Sequence, residues 1–119
     1  MSITTSETKR MLEAQPWIDI RLLASDDKIL IEAPPFMYEL KILTPVVGIL
    51  EISSSDNHII NPTLCAYVSG VFDLDDIIDF PFRLAATLKM KLQFRNGVYI
   101  SQPMVSARLT GKGYFYDVF

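Results

Sequence analysis

Cys65 is the only cysteine in the 119-residue chain. No intrachain disulfide can therefore brace the fold, which fits a reducing compartment. His58 is the only histidine, and one imidazole cannot build a histidine-rich metal site. It stands in a predicted turn and reads as an exposed side chain. Basic residues are in deficit, with 11 Lys and Arg against 14 Asp and Glu and a net charge of −3. Binding driven by phosphate neutralisation needs the opposite balance, so nucleic acid is not an expected partner. No apolar run approaches the ~20 residues of a membrane-spanning helix. The opening Met1-Ser2-Ile3-Thr4-Thr5 has neither the basic start nor the apolar stretch of a signal peptide. The expected location is cytoplasmic.

Catalytic signatures are equally sparse. There is no Gly-x-Ser-x-Gly elbow, and Gly111-Lys112-Gly113 lacks the spacing of a phosphate-binding loop. Asp73, Asp75, Asp76 and Asp79 form the densest acidic cluster, the donor type a hard cation takes. Ile77 and Ile78 interrupt it where a calcium loop continues toward its distal glutamate, so the cluster reads as a solvated turn. Cys65 has no basic neighbour to lower its pKa and reads as a buried structural residue. The chain is therefore expected to be a non-enzyme, with no catalytic residue, no cofactor and no metal ligand.

What the sequence does contain is patterned apolar content. Half of the residues are hydrophobic, enough to fill a core and leave apolar surface for a lipid, a protein partner or a second copy. The length suits one domain spanning residues 1–119. Thr4 and Glu7 have capping-box spacing, Met11, Leu12 and Ala14 make a stripe, and Pro16 stops the helix expected over residues 4–15. Trp17 to Ala33 reads as a hairpin turning at Asp26-Asp27, with Leu22 opposite Ile31 and Arg21 paired with Glu32. In the run from Phe36 to Leu43, Tyr38, Leu40 and Ile42 alternate with Glu39 and Lys41. A second hairpin, Val46 to Phe72, turns near Ser55 to His58. Asp73 to Phe80 reads as a loop or a single helical turn.

From Phe82 to Phe94, apolar and polar residues alternate without error, the period of one long half-buried strand. Asn96-Gly97 supplies a type I′ turn. That register sets Leu84 opposite Leu109, Ala86 opposite Ala107 and Leu88 opposite Val105. The fold class is thus α+β and mainly β: a short N-terminal helix packed on a strongly bent antiparallel sheet of hairpins, a meander. The aromatic end, Tyr114 to Phe119, reads as a final strand or a docking segment.

Two candidate surfaces follow. Leu84, Leu88, Met90, Leu92 and Phe94, with Met11 and Leu12 of the helix, form an apolar face or groove for a ligand or partner. Arg83, Lys89, Lys91 and Arg95, joined by Arg108 across the ladder, form a basic stripe. The stripe suits phosphates or anionic headgroups, or serves as a solvated face that guards against aggregation.

Ile3-Thr4-Thr5-Ser6-Glu7, Phe80-Pro81-Phe82-Arg83-Leu84-Ala85-Ala86-Thr87-Leu88 and Asn96-Gly97-Val98-Tyr99-Ile100-Ser101 together resemble half of a tubular lipid-binding protein of the bactericidal/permeability-increasing type. The resemblance implies a twisted sheet wrapped on a helix and enclosing an apolar groove for lipid tails. The functional expectation is a non-catalytic binding module for a hydrophobic ligand or protein partner. The alternative is a structural or assembly subunit that forms a homo-oligomer.

Overall fold

The computed structural model describes Arg10, Ala14 and residues 16–73 and 77–119. Among these the chain forms strands β1 (Trp17–Asp19), β2 (Lys28–Ala33), β3 (Phe36–Thr44), β4 (Ile49–Ser54), β5 (Thr63–Asp73) and β6 (Ile77–Pro81). They are followed by β7 (Arg83–Ala85), β8 (Lys89–Phe94), β9 (Gly97–Pro103), β10 (Ser106–Gly111) and β11 (Tyr114–Asp117). Among the described residues the helical elements with both ends in view are two 3-10 turns, Ile20–Leu22 and Pro45–Val47. The helix expected over residues 4–15, with Met11 and Leu12, lies outside the described residues apart from Arg10 and Ala14. Mainly antiparallel β structure is therefore what the fold has, with no helix packed on the sheet among the described residues.

The main sheet runs β11-β10-β2-β3-β4-β5-β8-β9, with β6 also on β5, while β1 and β7 form a separate pair. β9 ends the path at one side and β10 sits near the other, yet only Met104 and Val105 separate them. Met104 N–H donates to Leu88 O at 2.9 Å and Val105 N–H to Glu32 O at 2.8 Å. The chain thus passes from β8 to β2 within one residue, and the sheet must curl into an incomplete barrel for its ends to meet.

Period-two alternation fills the inside. Ile29, Ile31, Ala33, Tyr38, Leu40, Ile42, Leu50 and Ile52 on β2 to β4 are all buried. Met90 and Leu92 on β8 and Ala107 and Leu109 on β10 close the same core. Burying each large aliphatic side chain contributes about 1.5–3 kcal/mol relative to leaving it in water.

Several local expectations give way to specific bonds. The Trp17 to Ala33 hairpin does not form, because the Asp19 carboxylate caps Arg21 N–H at 2.9 Å and ion-pairs its guanidinium at 2.7 Å. Those contacts turn the chain out of strand geometry, and β1 pairs with β7 instead. Glu32 accepts from Ser106 Oγ at 3.1 Å rather than facing Arg21, and β2 pairs with β3 across a Pro34-Pro35 turn. The second hairpin is present as β4 and β5, with a longer loop, residues 55–62, than a tight turn. The stretch from Ile77 to Pro81, expected as loop or helical turn, is strand β6 on β5.

The terminal strand is broken. Leu84 and Ala85 are both buried, which a flat strand cannot achieve, and Thr87 has φ of 73°. The chain therefore changes sheets between β7 and β8. Phe94 pairs with Gly97, so Arg95-Asn96 forms the turn, two residues from the expected register. A slip of two keeps side chains on their faces from Lys91 to Ile100. A bulge between Lys89 and Lys91 turns the far end over, so Met104 is buried and Val105, expected opposite Leu88, is half exposed. The return strand does not face β7: Leu109 pairs with Ile29 and Ala107 with Ile31.

Candidate functional site

The expected apolar ligand face is the interior itself. Leu84, Leu88, Met90 and Leu92 are at most 1% exposed, and Phe94 packs half-buried against the same cluster. Side chains from β2, β3, β4 and β10 fill the space a groove needs. The basic stripe is divided for the same topological reason. Arg83 stacks over Trp17 at 4.6 Å in the β1–β7 pair, Lys89 and Lys91 lie on β8, and Arg95 sits in the following turn. Arg108 is on β10, away from β8, with its Nε 2.9 Å from Asp117 and its guanidinium 5.0 Å over Phe115.

A different site forms at one end of the curled sheet. The loop after β4 and the turn after β8 flank a cleft of about 630 Å³. Ile59, Ile60, Leu64, Phe94, Val98 and Tyr99 give it apolar walls, and His58, Arg95 and Asn96 stand among the lining.

Local bonds set the loop. Asn61 bridges Ser54 through both ends of its amide, at 2.7 Å to the N–H and 2.7 Å to the carbonyl. Asp56 Oδ1 accepts from His58 N–H at 2.9 Å, an Asx turn, and lies 2.8 Å from His58 Nδ1. Ile59 N–H closes back on Asp56 O at 3.0 Å and its side chain is buried. Tyr99 Oη donates to Asp56 Oδ2 at 2.5 Å, and the Tyr38 and Tyr99 hydroxyls are 2.6 Å apart.

These contacts tune the groups involved. The Tyr99 hydroxyl, followed by the His58 N–H, holds the Asp56 carboxyl below its ordinary value against the opposing effect of burial. Burial, then the bond to Asp56, pushes the Tyr99 phenol up, and burial does the same to Tyr38. The His58 side chain is 87% exposed, in keeping with a turn residue. Among the described residues its ring hydrogen-bonds Asp56 and no hydroxyl or thiol. The Asp56-x-His58 turn was within reach of sequence reading. The convergence of Tyr38 and Tyr99 was not, because it depends on closure of the sheet.

Among the described residues no group of three or more His, Cys, Asp and Glu side chains could hold a metal ion. Of the acidic cluster, Asp79 is exposed, and the side chains of Asp73, Asp75 and Asp76 lie outside the described residues. Cys65 is buried, and burial pushes its thiol up to about 12, so it stays a neutral thiol near pH 7. Among the described residues no helix is long and apolar enough to cross a membrane. No family model, no curated protein and no solved structure matches this chain.

Proposed function

We propose that this chain is a non-catalytic binding module that takes an apolar ligand or partner segment in the cleft between the 55–62 loop and the β8–β9 turn. The observation that carries this reading is the wetted apolar lining of one concave site. Ile60 is 82% exposed, Leu64 60% and Val98 54%, and all three line the cleft. A cleft of this size lies within the ~300–1,000 Å³ typical of ligand sites, which favour the mouths of barrels. Burying these side chains contributes about 25 cal/mol per Å² before association costs.

The test is fluorescence of an apolar dye, 8-anilinonaphthalene sulfonate, with the native chain and with Ile60→Ser/Val98→Ser. Both positions are exposed, so the double variant keeps the native melting profile. Dye emission that rises with the native chain and drops in the variant supports the cleft. Equal emission from both places the apolar site elsewhere.

A second reading, self-association, has its own support. β9 is an edge strand whose sequence, Gly97 to Pro103, carries no charged side chain. Val98 and Ile100 on it are about half exposed. Edges normally carry charge to prevent pairing with another chain, and here Pro103 is the single guard. Antiparallel pairing of β9 with its copy would form a two-fold dimer. Light scattering across a concentration series decides it: a dimer dissolved by Ile100→Lys supports the reading, and a monomer throughout ends it.

A further inference from the structure

We infer that the cleft selects an amphipathic anion, an apolar body ending in a carboxylate, with Arg95 as the group that reads the charge. The inference rests on the cleft being a binding site and adds the chemical class of its ligand.

Charge is the first argument. The chain as a whole is acidic, at −3, yet no Asp or Glu lines the cleft, where the ionisable groups are His58, Arg95 and Tyr99. Asp56 lies beside it, but its carboxylate is buried and committed: Oδ1 to the His58 N–H and ring, Oδ2 to the Tyr99 hydroxyl. The lining thus presents cationic and neutral donors to a ligand, and the Asp56 charge beside it is already hydrogen-bonded.

The state of Arg95 is the second argument. Four other cations are matched: Arg21 with Asp19, Arg108 with Asp117, Lys28 with Glu39 and Lys41 with Asp26. Lys91 and Lys112, unmatched among the described residues, do not line the cleft. Arg95 has no ion-pair partner among the described residues. It sits in a two-residue turn between Phe94 and Gly97, with the Asn96 amide beside it. A guanidinium offers a planar fork of donors that a carboxylate meets with two parallel bonds. Apolar walls from Leu64, Ile60 and Val98 beside that fork match an alkyl or aryl body attached to the anion.

The experiment titrates the full chain with octanoate and with 1-octanol at low salt, following backbone amide resonances of Ile60, Leu64 and Val98. The same titrations are run on Arg95→Ala. Both compounds are expected to shift the cleft resonances, with octanoate binding about fivefold more tightly, the scale of one partly exposed ion pair. Arg95→Ala is expected to abolish that preference, and high salt to shrink it. Equal binding of the two compounds overturns the anion preference and leaves the cleft as an apolar site. A preference that survives Arg95→Ala overturns the role of Arg95. Cleft resonances that respond to neither compound remove the binding reading and this inference together.

Discussion

The Tyr99 hydroxyl donates to Asp56 Oδ2 at 2.5 Å, joining β9 to the loop after β4 across 43 positions of sequence. With the Tyr38 hydroxyl 2.6 Å from that of Tyr99, strands β3 and β9 and the loop meet at one polar point beside the cleft. Tyr99→Phe leaves the buried carboxylate one donor short, and a cost of about 1–3 kcal/mol is expected at neutral pH. The acid response follows from the same bond. Asp56 titrates below its ordinary value of 3.8 in the folded chain, so its contribution is complete above the unfolded pKa and lost as pH falls through the folded one. Urea midpoints are expected to hold steady down to about pH 5 and drop below about pH 4, with a smaller drop in Tyr99→Phe. Identical midpoints at neutral pH rule out a stabilising bond.

The alternation in β2, β3 and β8 was legible because it is local: Tyr38, Leu40, Ile42, Met90 and Leu92 are inside where period two puts them. The same pattern is silent on what covers the face. Met90 and Leu92 looked equally suited to a groove and to a core, and strands far away in sequence decide for the core. Asp19 misled the reading because a capping carboxylate outweighs a weak cross-strand pair between Arg21 and Glu32. The cleft was out of reach for a further reason. Its walls come from residues 58–64 and 94–99, which only the β5–β8 pairing brings together.

Face assignment on β8 has a direct test. Leu92 is fully buried, and its neighbour Lys91 is partly exposed on the outer side. Leu92→Ala is expected to cost about 2–5 kcal/mol through lost burial and a residual cavity. Lys91→Ala is expected to stay within about 0.5 kcal/mol. Chemical denaturation of the two variants checks this, and similar midpoints would mean that β8 is turned over.

Gly70 on β5 lies where two segments crowd. A methyl group there would stand 2.7 Å from Arg83 O and 2.7 Å from Leu88 Cδ1. Replacing a strand glycine with alanine commonly gains stability by restricting the unfolded chain. At this position overpacking against a carbonyl oxygen wins, and Gly70→Ala is expected to lose about 1–3 kcal/mol. A thermal or urea midpoint at or above that of the native chain contradicts the packing of β5 on the β7–β8 bend.

Tyr114 ties the last strand down through a different carboxylate. Its hydroxyl donates to Asp27 Oδ2 at 2.6 Å, and the same oxygen accepts Ala24 N–H at 3.0 Å. The bond to Asp27, with burial second, pushes the Tyr114 phenol from 10.0 up to about 12. A raised folded pKa means that the neutral phenol is the form folding prefers. Its contribution is complete below the unfolded value and disappears as pH rises through the folded one. Native and Tyr114→Phe chains should therefore differ in urea midpoint near neutral pH and converge between about 10 and 12. Absorbance of tyrosinate should show one late-titrating phenol fewer in the variant. Equal midpoints near neutral pH would assign the anchoring of β11 to its ladder with β10 and to Phe119, which packs on the core, rather than to this hydroxyl.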